Sequence, residues 1–100
     1  MTYQEARAAA VNADSAHKAA CDAMRATEAR LASDMGIQPR GAMNLLSDAI
    51  RTHPDYRAAW ARERVAFEAL RKANARLVRG FPKELAADRL AARKQRMARA

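Results

Sequence analysis

A single cysteine, Cys21, is all the thiol chemistry in the chain. No disulfide can form within it, which excludes the small secreted folds held together by cystines. Glycine and proline number three each, and Val, Ile and Thr are scarce. So few breakers and β-branched residues disfavour sheet and favour long helices. No apolar run approaches the roughly 18 residues of a membrane span, and the N-terminus carries no apolar leader-like stretch. No membrane association and a cytoplasmic location are therefore expected. Also missing are a Gly-rich phosphate loop, a Ser-His-Asp arrangement and an acidic cluster spaced for hard cations. No catalytic residue, cofactor or metal ligand is expected, and the chain reads as non-enzymatic.

What is present is alanine and arginine. Alanine supplies 27 of the 100 residues, so the 50% apolar content contains few large side chains. The length suits one domain with a limited core. The formal net charge is +8, with 15 Arg and 4 Lys. It is uneven: residues 1–35 carry net −1, residues 36–81 net +5 and residues 82–100 net +4. A basic C-terminal two-thirds implies attraction to nucleic acid, an acidic protein surface or an anionic membrane, and the tail lacks the Trp, Phe and Leu density of a membrane-surface helix.

Thr2-Tyr3-Gln4-Glu5 is a capping box, in which the Thr hydroxyl and the Glu carboxylate satisfy each other's backbone amides. No Gly or Pro then appears until Gly36, so a first helix over 3–35 is predicted, ended by a glycine cap. Its seam runs through Tyr3, Ala10, His17, Met24 and Leu31, and through Ala6, Ala13, Ala20 and Thr27. The breakers from Gly36 to Gly41 form a loop. A short helix over 41–51 follows, with Ala42, Leu45, Leu46, Ala49 and Ile50 as its apolar stripe. Pro54 and Asp55 start a third helix, predicted over 54–79, with a seam of Tyr56, Ala59, Glu63, Ala66, Leu70, Ala73 and Leu77. Alanines recur every seven residues at 6, 13 and 20 and again at 59, 66 and 73. Small residues at that spacing let two helices pack closely.

The expected fold is all-α: an antiparallel hairpin of two long Ala-rich helices over 1–81, with a short connecting helix. A basic helix over 82–100 docks weakly on it through Leu85 and Leu90, or frays beyond Arg93. The core is expected to hold Leu31, Leu45, Leu46, Ile50, Trp60, Phe67, Leu70 and Leu77. The first helix outruns the third, which leaves room for a second copy and makes a homodimer an expectation. His53 to Trp60 resembles the opening of a tetratricopeptide helix, but an array needs the pattern again about 34 residues away and the chain has one copy.

Asp14, His17 and Cys21 fall at i, i+3 and i+7 on the first helix. They suggest a Cys–His pair or half a zinc site. Two ligands on one helix do not complete a site, although a dimer would supply four, so a structural role is expected, with His17 in the seam hydrogen-bonded to Asp14 or to a side chain of the partner helix and Cys21 acting as a small hydrophobe. The remaining signal is basic. Arg57, Arg64 and Arg71 are seven apart on one face of the third helix, and the tail adds Arg93, Lys94 and Arg96. These six are the candidate partner-binding residues.

The expected function is stoichiometric contact with an acidic protein or ribonucleoprotein partner, the alternative being non-specific binding of DNA or RNA. The aromatics, placed in the core, are not expected to interleave with the arginines as stacking platforms. In kind, the chain resembles small accessory proteins of GC-rich temperate phages and mobile elements, some of which, anti-CRISPR proteins among them, inhibit host complexes by contact. No residue carries that likeness, and it implies no site.

Overall fold

The computed structural model describes residues 1–99 and contains four α-helices: α1 (Tyr3–Met35), α2 (Asp48–Arg51), α3 (Pro54–Gly80) and α4 (Pro82–Arg99). The predicted fourth segment ends on Ala100, which lies outside the described residues. The capping box forms as expected: Glu5 N donates to Thr2 Oγ1 at 3.2 Å, and Thr2 N donates to Glu5 Oε1 at 3.3 Å. Gly36 ends α1 in the left-handed region at φ 64°, donating its N–H to the carbonyls of Ala32 and Ser33. At the start of α3, Pro54 takes the first helical position and the His53 ring nitrogen Nδ1 accepts from Asp55 N at 3.1 Å.

α1 and α3 pack along each other in antiparallel fashion, as the two alanine series require. All nine seam positions read for α1 are buried or half-buried. On α3, Tyr56, Ala59, Glu63, Ala73 and Leu77 are buried, and Ala66 and Leu70 half-buried. The buried residues gather at the two ends of the hairpin. At one end Ala6, Ala10, Ala73 and Leu77 are covered by Tyr3, Phe81 and Leu85. At the other, Leu31, Ala32, Ile50 and Tyr56 are covered by Met24 and Leu46.

The connecting helix predicted over 41–51 forms only at its C-terminal end. Residues Ala42–Asn44 make one 3-10 turn, and only Asp48–Arg51 are α-helical. Met43 and Asn44 sit in the left-handed region at φ 58° and 60°, where no helix can continue. Backbone bonds from Gly41 N to Leu45 O (2.9 Å) and from Ser47 N to Pro39 O (3.0 Å) close the segment into a loop. Such a loop lets one residue, Ile50, reach between α1 and α3, where it is 0% exposed. A short helix is marginal without a packed face, and here a single anchor replaces the face.

The predicted core is corrected at three further places. Leu45, Trp60 and Phe67 are exposed, while Leu46 and Leu70 are half-buried. Alanines at the seam bring the helices together and leave no volume for a large ring, so Trp60 and Phe67 lie beside the contact. α4 packs through Leu85, and the Tyr3 hydroxyl donates to Asp88. Arg7 lies 3.5 Å from the same carboxylate. Leu90, expected to dock, is exposed, and the helix continues to Arg99. α4 and the Ile50 loop cover opposite ends of α1, so its extra length is used within the chain and supplies no argument for a second copy.

Ile50→Ala is expected to cost about 2–5 kcal/mol of unfolding free energy. Trp60→Ala, on the rim, is expected to cost about 1 kcal/mol or less. Urea denaturation followed by circular dichroism checks both; a larger loss at Trp60 than at Ile50 contradicts this placement of the core.

Candidate functional site

The middle of the hairpin, between its two apolar ends, is joined by polar side chains. His17 on α1 faces Glu63 on α3, with Nε2 3.0 Å from Oε1. One turn further along α1, Cys21 Sγ lies 3.6 Å from the same Nε2. Arg64 donates from Nε to Glu63 Oε2 at 2.9 Å and from its terminal nitrogen to Oε1 at 3.1 Å. Its guanidinium sits 4.7 Å from the centre of the Phe67 ring, which in turn stands 5.6 Å from the His17 ring. Glu63 is only 7% exposed, and a buried carboxylate is tolerable because it has these partners. The Arg64 hydrogen bonds, followed by that from His17, hold its carboxyl below the ordinary value, against burial, which pushes it up.

The structural role expected for His17 is met by Glu63. Asp14, grouped with His17 and Cys21 by spacing, pairs instead with Lys18 at 3.0 Å. The partner-helix side chain that His17 finds is Glu63, the one acidic residue in either seam.

The second feature is the outer face of α3. Arg57, Trp60, Arg64, Phe67 and Arg71 alternate at steps of three and four, so they form one stripe. All five are exposed, Trp60 by 51%. The expectation that aromatics avoid the arginines is thus overturned, because these rings lie outside the seam. Three arginines expected as equals differ in their surroundings. Arg64 is held by Glu63, and Arg71 lies 3.5 Å from Glu68. Arg57 makes no ion pair among the described residues and lines an open cavity of about 670 Å³. The same cavity is lined by Arg40, Leu45, Asp48, Arg51 and Trp60. Arg40 lies 2.8 Å from Glu28 and Arg51 2.8 Å from Asp48, so Arg57 is the rim cation with no carboxylate partner there. Beside the cavity mouth the loop exposes Leu45 by 67% and, two residues earlier, Met43 by 91%.

The structure does not join the tail residues to this stripe. Arg93, Lys94 and Arg96 are exposed on α4, a different element, with no carboxylate partner among the described residues. No described helix is long and apolar enough to cross a membrane.

Comparison of the chain with known protein families, with curated proteins and with solved structures finds no match.

A carboxyl whose pKa is lower in the folded than in the unfolded chain contributes stability above the unfolded value and loses it as pH falls through the folded one. Glu63→Gln is therefore expected to lower the melting temperature by several degrees at neutral pH. The gap to the parent chain is expected to narrow once pH falls below the ordinary carboxyl value of 4.5 and to vanish in stronger acid. Thermal unfolding across that range checks the sign; a gap that widens in acid contradicts it.

Proposed function

We propose that the chain is a non-enzymatic, cytoplasmic binding protein that acts by stoichiometric contact with a protein or ribonucleoprotein partner. The contact surface is the outer stripe of α3 together with the cavity between its first half and the connecting loop. One observation carries this reading. Trp60 is half exposed at the cavity rim, with Arg57 one turn before it and Arg64 one turn after, and with Leu45 across the opening.

Trp and Arg are the residues in which binding energy concentrates at protein interfaces, where a ring fills a pocket and a guanidinium pairs bidentately with a carboxylate. A partner that suits this surface offers an apolar side chain to the Trp60–Leu45 opening and a carboxylate to Arg57. Both α3 side chains stand on a helix packed along α1, so little ordering entropy is lost on binding. The exposed cations of α4 add long-range attraction and on-rate more than specificity.

A nucleic-acid reading is favoured by a different observation, the alternation of Trp60 and Phe67 with Arg57, Arg64 and Arg71. Stacking rings between phosphate-pairing cations form a single-strand platform. Two features favour the protein reading. Met43 and Leu45 are aliphatic and offer no stacking face, and Glu63, Glu68 and Asp48 neutralise much of the local positive charge.

The test is affinity purification from cells of the chain's own source, with and without nuclease, followed by mass spectrometry. A protein partner that survives nuclease is expected, with Trp60→Ala or Arg57→Glu weakening its binding at least about tenfold. Replacing Arg93, Lys94, Arg96 and Arg99 together with Ala is expected to slow association without changing the partner. Recovery of nucleic acid alone, with affinity falling steeply in salt, supports the second reading and overturns the first.

A further inference from the structure

We propose that His17, Cys21 and Glu63 form a binding site for a borderline-soft divalent cation of the zinc class, with its fourth coordination position open to solvent. The donor atoms of the three side chains, contributed by α1 and α3, all lie within 4.8 Å of one another.

The way they converge separates this arrangement from a proton relay. In a Cys–His–carboxylate relay the thiol and the carboxylate face opposite ring nitrogens, so that a proton passes across the imidazole. Here Cys21 Sγ at 3.6 Å and Glu63 Oε1 at 3.0 Å both face Nε2. One imidazole nitrogen holds either a proton or a lone pair. It cannot at once donate to the carboxylate and accept from the thiol. A cation at the point of convergence satisfies all three groups together, taking the Nε2 lone pair, the thiolate and one carboxylate oxygen.

The spacing agrees with this. Zinc bonds of about 2.3 Å to sulfur and about 2.0–2.1 Å to nitrogen and oxygen put tetrahedral ligands roughly 3.3–3.6 Å apart. The separations of 3.0 and 3.6 Å from Nε2 bracket that range, and Cys21 Sγ and Glu63 Oε1, within 4.8 Å of each other, are drawn together by the ion they share. An imidazole, a thiolate and a carboxylate make a set that selects zinc-class ions over Mg²⁺ or Ca²⁺, which need oxygen ligands throughout.

The ligands also stand on rigid supports. His17 and Cys21 are four residues apart on α1, and Glu63 is fixed opposite them on α3, with Arg64 donating to both of its oxygens. The ion takes Oε1 in exchange for the longer of those bonds, at 3.1 Å, while Arg64 keeps Oε2. The His17 side chain is 21% exposed and Cys21 is half-buried, so water reaches the fourth position. Arg64 is the cation facing the cluster. The thiolate and the carboxylate balance the ion's two charges, so the guanidinium opposes binding and its removal strengthens it.

The site is tested by titrating Co²⁺ into the reduced full chain and following the thiolate-to-metal absorption band, with Zn²⁺ then displacing the cobalt. A band saturating at one equivalent is expected. Cys21→Ala is expected to abolish it, and His17→Ala and Glu63→Gln each to weaken binding at least about tenfold, with far-ultraviolet circular dichroism confirming the helix. Arg64→Gln, exposed and outside the ligand set, is expected to tighten binding. Absence of a saturable band in both the parent chain and Arg64→Gln overturns the proposal. So does a band of equal affinity in parent and Glu63→Gln chains, which reports a thiol binding metal alone.

Discussion

Alanine at the contact between α1 and α3 is the constraint on which the rest of the structure depends. Ala6, Ala10, Ala59 and Ala73 are buried there, with Ala13, Ala20 and Ala66 half-buried around them. Each methyl removes little apolar surface from water, at about 0.8 kcal/mol per buried carbon group. Stability must then come from places where larger groups fit, and these are the two ends of the hairpin. Ile50, threaded in by the connecting loop, closes one end, and Tyr3, Phe81 and Leu85 close the other. Between them the helices are joined by His17 and Glu63, a polar link between the two apolar ends.

The same constraint sends large side chains outward. A contact made of methyl groups has no room for an indole, so Trp60 and Phe67 flank it and share their face with arginines. The molecule is accordingly long and thin. Its radius of gyration is 18.7 Å, against about 13 Å for a compact chain of this length. The result is an elongated scaffold with a modest core and an exposed stripe along the outer face of α3. Its cavity of about 670 Å³ at the start of α3 is open and bordered by the connecting loop.

Much of the architecture was legible in the sequence because its signals are local. The Thr2–Glu5 box, Gly36 and Pro54 mark helix ends through backbone hydrogen bonding alone, and the seam of α3 was read residue for residue. Three things were not legible. The 41–51 stripe has helical spacing, but the left-handed residues Met43 and Asn44 break it, and nothing in a methionine announces that conformation. Trp60 and Phe67 were placed inside because large rings are usually buried; that rule fails where the neighbouring helix is approached through alanines. The polar cluster depends on register between two helices. His17 and Glu63 each belong to a seam, yet 46 positions separate them, and spacing along one helix offers Asp14 as readily as a side chain of α3. The six basic residues divide as their spacing implies, three on one face of α3 and three on α4, but the ion pairs that set Arg57 apart from Arg64 and Arg71 depend on neighbours that spacing does not rank.

A small-residue seam leaves the large α3 side chains at the surface, and Trp60, the sole tryptophan, reports on this directly. Fluorescence of the free chain, with acrylamide as quencher and at a concentration where sedimentation shows a monomer, is the decisive measurement. Red-shifted emission with efficient quenching is the predicted result. Blue-shifted emission protected from the quencher would place the indole inside the hairpin and contradict the seam, the stripe and the docking surface together.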